Sequence, residues 1–210
     1  MKNSWIAIEG LEGAGKTTTC NSVVKFFKKK VKDIILTHEP GGTPIAEQLR
    51  ILIKEGIEGE TITAHTELFL LYAARLQLME QIVKPALARG AWVISDRHEL
   101  STQAYQSGGR GIDINLLKVL RHLVLGNLKP NLTLYLDITP ELGLQRIISR
   151  GKRDRIEQES LEFFKSVRKY YLAQTMLDKS IRIIDATQPL QVVISAIHLV
   201  LEEWWWKKTH

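Results

Sequence analysis

Cysteine is almost missing from this sequence, since Cys20 is the one cysteine among 210 residues. An intrachain disulfide is therefore excluded, and no cysteine spacing typical of a zinc site is present. Uninterrupted apolar runs of about 18 residues, which a membrane span needs, are also missing, and no hydrophobic signal segment precedes the first predicted strand. These absences favour a cytoplasmic protein that does not cross a membrane.

Acidic residues are fewer than basic ones, 23 against 29, which leaves a net charge of +6. A basic excess of this size suits nucleic acid, an anionic membrane surface or a phosphorylated small molecule. The alternation of basic and aromatic residues that is typical of single-strand binding is not found. Because the arginines recur beside glycines in separate motifs, we expect a small phosphorylated ligand, and neither nucleic acid nor membrane as a partner.

A glycine-rich segment directly follows the apolar run at residues 5–8 and precedes a predicted helix. It matches the pattern G-x-x-x-x-G-K-[ST], in which backbone N–H groups and a helix N-terminus surround phosphate groups. Lys16 supplies a point charge for the outer phosphates, and the Thr17 hydroxyl is a ligand for Mg²⁺. The segment consists of Gly10, Leu11, Glu12, Gly13, Ala14, Gly15, Lys16 and Thr17.

Segments that the sequence does not contain exclude several classes of phosphate-loop protein. No Asn-Lys-x-Asp segment, which would read guanine, follows a late strand, so a GTPase switch is excluded. Motor and unwinding ATPases need a longer chain than 210 residues. A small kinase and a nucleotide-gated binding protein remain.

Predicted strands alternate with predicted helices along the whole chain. The strands are expected at 4–9, 34–37, 91–95, 132–136 and 181–184, and the helices at 16–30, from 43, and at 64–84, 113–125, from 140, to about 177 and from 189. Pro85 is expected near the end of the helix over 64–84, and residues 108–111 are expected to form a loop. This order predicts an α/β fold, a five-stranded parallel sheet covered by helices on both faces, in one domain over 1–210.

Two acids stand at strand ends, where a phosphoryl-transfer site needs a carboxylate for Mg²⁺. Asp96 is preferred over Asp137 because Arg97 beside it offers a bidentate phosphate donor. Asp137 precedes Thr139 and Pro140, and its alternative role is to begin a helix. For Asp96 and Arg97 the alternative interpretation is an ion pair on the protein surface with no part in the chemistry.

A basic flap is predicted at about 149–158. Residues 150–155 hold four cations and one anion, divided by Gly151. A solvated run of charges is one explanation. A mobile flap that closes over the transferring phosphate is the other, and the phosphate loop favours it.

These motifs together closely resemble the thymidylate kinase family, of the bacterial kind with catalytic arginines in the lid. The matching segments lie in the same order and spacing from residue 5 to about 200, and they are residues 9–18, 39–43, 72–77, 96–106, 109–111, 154–160 and 185–189.

The resemblance implies a P-loop nucleoside-monophosphate-kinase fold that transfers the γ-phosphoryl group of ATP to dTMP, with Mg²⁺, as a homodimer. It implies catalytic roles for Lys16, Arg97, Arg153, Arg155 and Glu12. ATP would contact Gly10, Leu11, Glu12, Gly13, Ala14, Gly15, Lys16, Thr17 and Thr18. The substrate dTMP would contact Glu39, Leu71, Arg75, Arg97, Ser101, Thr102, Tyr105 and Gln106. The metal would lie near Thr17, Glu39 and Asp96.

One position departs from the family pattern. Four residues before the pocket arginine, Arg75, the family usually has a phenylalanine that stacks on thymine, whereas this chain has Leu71. Phe69 is expected to point elsewhere on a regular helix.

Three consecutive tryptophans lie near the end of the chain, at Trp204, Trp205 and Trp206. They are expected to pack a terminal helix on the sheet, with membrane contact as the alternative.

Overall fold

The computed structural model describes residues 4–151 and 153–209, so Lys152 of the basic flap lies outside the described residues. Its five-stranded sheet is parallel throughout and has the order β2-β3-β1-β4-β5. The strands are β1 Trp5–Gly10, β2 Ile34–His38, β3 Trp92–Asp96, β4 Leu132–Asp137 and β5 Ile181–Asp185. The predicted α/β class and the five parallel strands are confirmed.

The central strand has the burial expected of a parallel sheet. All six residues of β1 are buried, as a strand covered by helices on both faces requires. The helices are α1 Lys16–Phe27, α2 Pro44–Glu55, α3 Ala64–Leu78, α4 Lys84–Ala88, α5 Glu99–Thr102, α6 Ile114–Leu125, α7 Pro140–Ile148, α8 Leu161–Leu177 and α9 Leu190–Thr209, with π-helical segments at Met79–Val83 and Gln103–Gly109.

The helix predicted to end near Pro85 continues to Ala88. A π-helical turn precedes the proline, and within it the N–H of Lys84 donates to the carbonyl of Met79, five residues earlier. The wider turn relieves the clash that the proline ring makes with the preceding turn of a regular helix. Helix α1 is three residues shorter than predicted, because the N–H groups of Lys30 and Val31 both fold back onto the Phe27 carbonyl.

The prediction of a loop at 108–111 is wrong for Gly108 and Gly109, which end the π-helical segment. These glycines let that segment lie directly on α8. A Cβ on Gly108 would stand 2.8 Å from Cβ of Tyr170. Glycine here therefore permits close packing, which local turn propensity does not reveal.

Helix α9 packs on the sheet through Trp204 and Trp205. Both contact the rings of Phe27 and Trp92, with centroids 5.6–6.4 Å apart, while Trp206 is 63% exposed. This confirms packing of the terminal helix with some aromatic surface left over. None of the helices in the described part of the chain is long and apolar enough to cross a membrane.

Candidate active site

A cavity of about 770 Å³ opens at the carboxyl ends of β1, β2 and β3. The order of the sheet brings the phosphate loop, the strand ends and helices α2 and α3 to this edge. Fifteen of the predicted site residues line it: Glu12, Gly13, Gly15, Lys16, Thr17, Thr18, Glu39, Leu71, Arg75, Asp96, Arg97, Ser101, Thr102, Tyr105 and Gln106. Neither Arg153 nor Arg155 is among the lining residues.

The phosphate loop leaves the N-terminus of α1 open toward the cavity. Gly15 precedes the helix in the left-handed region, with φ of 88°, and as a glycine it offers no side chain to cap the first turn. The unpaired N–H groups there form an anion site. Lys16 folds its Nζ onto the carbonyl of Leu11 at 2.8 Å. Burial and, to a smaller extent, the positive charge of Arg97 together lower the pKa of Lys16 to about 8, against the opposing effect of nearby carboxylates.

The loop also lies tightly against helix α7. Gly13 has φ of 78°, and a Cβ there would stand 2.6 Å from the Gly143 carbonyl oxygen. Gly143 has the same constraint, because its own Cβ would stand 2.8 Å from the carbonyl oxygen of Glu12.

Two oxygen donors meet beside the first turn of α1. The Thr17 hydroxyl donates to Oδ2 of Asp96 at 2.8 Å. Hydroxyl and carboxylate oxygens suit Mg²⁺, which takes few protein ligands and completes its shell with phosphate and water. Within residues 4–151 and 153–209 no group of three His, Cys, Asp or Glu side chains is arranged to hold a metal by itself. The pair therefore fits a metal that enters together with a nucleotide phosphate.

Arg97 is fixed at the centre of the cavity in a strained backbone conformation. Its φ of 71° is unusual for a residue with a side chain, and such strain concentrates at functional sites. The guanidinium donates to Oε1 of Glu12 at 2.6 Å and to the Ser101 hydroxyl at 2.9 Å. The Tyr105 hydroxyl donates to the other oxygen of Glu12. A phosphate that entered here would meet an oriented cation and a neighbouring carboxylate.

Arg75 crosses the floor of the cavity in a buried network. It donates to Oε2 of Glu39 at 2.7 Å, to Oε2 of Glu99 at 2.8 Å and to the Thr102 hydroxyl at 2.8 Å. Glu39 binds His98 Nδ1 with its other oxygen, at 2.8 Å. Burial alone would raise the pKa of Glu39, but Arg75 and His98 outweigh it and lower the pKa to about 2. Both oxygens of Glu39 are thus taken up by Arg75 and His98, and neither is bonded to Thr17 or Asp96.

Helix α3 presents Leu71 and Arg75 to the cavity, as their spacing of four residues predicts. Phe69 is 52% exposed on another side of the helix, which confirms that it points elsewhere. Glu67, one turn before Leu71, also lines the cavity and is buried. Sequence reasoning missed Glu67, although the spacing 67, 71, 75 was a signal for it.

The basic flap is tied to helices α2 and α3. Arg155 donates to Glu67 and, at 2.9 Å, to the Ile53 carbonyl, while Asp154 pairs with Lys54 at 2.8 Å. Arg155 is therefore directed away from the phosphate loop in this structure.

Two other arginines, one in the flap and one in the helix before it, contribute to the cavity wall. Arg150 is one, and it pairs with Glu157 at 2.9 Å. The second, Arg146 of α7, donates to the Gly13 carbonyl at 3.2 Å. Arg146 is a residue at the phosphate loop that the predicted catalytic set did not include.

Asp137, the second strand-end acid, has a different role from the predicted one. It accepts two hydrogen bonds from Arg168 of α8, each at 2.8 Å, and one from the Tyr135 hydroxyl. Helix α7 is instead capped by the Thr139 side chain, which accepts from the N–H of Leu142. The suggestion that Asp137 begins a helix is therefore wrong, because its carboxylate is taken up by the neighbouring helix.

A phosphate loop follows the central strand β1 of this parallel sheet, and Asp96 and Arg97 follow the neighbouring strand β3. Together the sheet and these residues define a P-loop nucleoside monophosphate kinase. The family model for thymidylate kinase matches residues 8–197, and the chain belongs to the thymidylate kinase family. It is thus a phosphotransferase that converts dTMP to dTDP with ATP as the donor, in dTTP biosynthesis.

Proposed function

We propose that the cavity described above holds both substrates of the transfer, with the ATP phosphates on the phosphate loop and dTMP between Arg97 and Arg75. The observation that carries this proposal is the fixed position of Arg97, with its guanidinium 2.6 Å from Glu12 and beside the loop that ends at Thr17. A phosphate monoester is already anionic, so its attack on the γ-phosphoryl group requires alignment and charge neutralisation more than a base.

Each wall of the cavity has its own task in this proposal. Lys16 and the open N-terminus of α1 hold the donor phosphates. Arg97 orients the acceptor phosphate, and Glu12 holds Arg97 in place through the 2.6 Å hydrogen bond while lying near the deoxyribose. Leu71 gives the base an apolar surface, and Ser101, Thr102, Tyr105 and Gln106 complete the acceptor side.

Magnesium would be held by Thr17 and Asp96, whose oxygens are 2.8 Å apart. When bound it supplies positive charge to the donor phosphates. Glu39 was also predicted as a metal ligand, and its engagement with Arg75 and His98 favours a role in holding Arg75.

A homodimer is supported by apolar side chains exposed on neighbouring helices. Val119 and Leu123 of α6 are 65% and 78% exposed, and Phe69 and Leu76 of α3, which packs beside α6, are also exposed. Exposed apolar clusters of this kind mark association surfaces. Light scattering should give the mass of a dimer for the wild type and of a monomer for Leu123→Glu. A cytoplasmic location, expected because Cys20 is the one cysteine of the sequence, stays a prediction.

The deciding experiment is a coupled assay of ADP release with Mg-ATP and a panel of nucleoside monophosphates. We expect dTMP to be the best acceptor and dUMP a weaker one, because the thymine methyl group fills apolar space beside Leu71. A faster rate with dCMP or dGMP would overturn the assignment of the acceptor side. The second candidate from the sequence is a nucleotide-binding regulatory module without turnover, and the absence of ADP release with every acceptor in the panel would favour it.

A further inference from the structure

Gln106 has a buried acceptor without a partner in the protein. Its side-chain Oε1 is one of only two buried side-chain N or O atoms, over residues 4–151 and 153–209, with no hydrogen bond. The other half of the same amide, Nε2, donates to Oε1 of Glu67 at 2.7 Å. Since Gln106 lines the cavity, a ligand bound there can supply the hydrogen-bond donor that this carbonyl lacks.

Glu67 dictates which half of the amide is free. The Glu67 carboxylate is 1% exposed and accepts further hydrogen bonds from Arg110 and Arg155. Burial would raise its pKa, but the two arginines outweigh this and keep the pKa low. An ionised carboxylate only accepts hydrogen bonds, so the amide must turn its NH₂ group toward Glu67 and its carbonyl away.

We infer that Glu67 is a positioning residue for base selection: through Gln106 it presents a fixed acceptor to the base edge and thereby admits bases with an N–H donor there. Thymine and uracil carry this donor at N3, whereas cytosine has an acceptor at N3. A cytosine N3 would place two acceptors face to face and leave both unpaired, which is a strong basis for rejection. This inference rests on the proposed function, which places Gln106 in the part of the cavity that binds dTMP.

The variant E67Q tests the inference because a neutral amide at 67 can donate as well as accept. Gln106 would then take either orientation, and the preference for dTMP over dCMP, expressed as the ratio of kcat/KM values, should fall by about tenfold. E67D provides a second variant of the same kind. It keeps the charge for Arg110 and Arg155, but its shorter side chain withdraws the carboxylate from Gln106, so the ratio should fall here too.

A matched control separates positioning from general loosening of the arginine network. Glu159 accepts a 2.5 Å hydrogen bond from Nη1 of Arg110, whereas the Gln106 amide donates to Glu67 and not to Glu159. E159Q therefore removes a similar charge from the same arginine, and the dTMP to dCMP ratio should stay at the wild-type value. An equal fall in E159Q would overturn the inference, since the effect would then come from Arg110.

A double-mutant cycle shows whether Glu67 acts through Gln106. In the Q106A background no amide remains to be oriented, so adding E67Q should leave the ratio unchanged. A further tenfold fall in the double variant would overturn the inference, and so would a wild-type ratio in both E67Q and E67D. These outcomes leave the proposed function standing, whereas a wild type that prefers dCMP would remove the proposed function itself.

Discussion

The Thr17 hydroxyl lies 2.8 Å from Oδ2 of Asp96, across a sequence separation of 79 residues. The register of β1 with β3, in which Ile8 pairs with Asp96, sets this distance. Asp96→Asn keeps the shape but removes the negative charge from the proposed metal site. We expect kcat to fall by about 10²–10³ and the Mg²⁺ concentration for half-maximal rate to rise.

Titration of activity with MgCl₂ measures both quantities. Asp137→Asn is the matched control, since Asp137 also ends a strand but is held by Arg168. Its Mg²⁺ dependence should equal that of the wild type. An Asp96→Asn enzyme with an unchanged Mg²⁺ dependence would place the metal elsewhere.

Lys16 should make ATP binding depend on pH. Its pKa of about 8 means that the free protein loses the ammonium charge above that pH, and phosphate binding must then recover a proton. The dissociation constant for ATP should therefore rise roughly eightfold from pH 7.5 to 9. Calorimetry across this range checks the slope. Lys16→Ala should bind weakly with little pH dependence and nearly abolish turnover, while its circular dichroism stays normal.

Glu39 should contribute to stability in a defined pH window. Its pKa falls from 4.5 to about 2 on folding, so its contribution is complete above about pH 4.5 and disappears as the pH falls toward 2. Glu39→Gln should lower the free energy of unfolding by about 3 kcal/mol at pH 7. Urea titrations at pH 7 and pH 3 measure the difference, which should shrink at the lower pH.

Glu80→Gln serves as the comparison for Glu39, because Glu80 is half exposed and pairs with Lys84 on the surface. Its effect should stay within about 0.5 kcal/mol at either pH. An equally small effect of Glu39→Gln would mean that the buried network does not depend on this carboxylate.

Leu71 should determine how strongly the base is held. Leu71→Phe adds an aromatic face to the cavity wall, and we expect dTMP to bind more tightly by about 0.5–1.5 kcal/mol. Phe69→Leu, on the exposed side of the same helix, should leave dTMP affinity unchanged. If Leu71→Phe tightened ATP and left dTMP alone, residue 71 would lie outside the acceptor side.

A flap arginine should meet the charge of the transition state when both substrates are bound. Arg155 is the first choice from the family segment, followed by Arg153, and Arg150 lines the cavity already. Loss of the key arginine should lower kcat by about 10³ with much smaller changes in KM.

Steady-state kinetics of the three single alanine variants measures this, with Arg89→Ala as the control, since Arg89 forms an exposed pair with Asp33. Wild-type kcat in all three variants would make the flap a solvated run of charges. The second cation would then be Arg97 or Arg146, both of which lie beside the phosphate loop.

The strands could be predicted within one or two residues because each is a short apolar run that ends at a glycine, histidine or acid. The phosphate loop was readable for a similar reason, since its function depends on residues that are contiguous. The segment at 99–109 could not be predicted, because its polar residues and glycines are matched to α8, some 60 positions later. Arg146 was missed because its partner, the Gly13 carbonyl, comes from a distant segment. The partners of Glu67 are distant as well, and its helical spacing from Leu71 was the one local signal.

The contact between Gly13 and Gly143 has an evolutionary consequence. One branch of the family carries an arginine immediately after the loop acid, at the position of Gly13 in this chain. Here that change is blocked, because Gly143 is already the smallest residue and no substitution at 143 can make room. Only a displacement of α7 could, and α7 leads into the flap. A side chain added at residue 13 would therefore also disturb the position of the helix from which the flap starts.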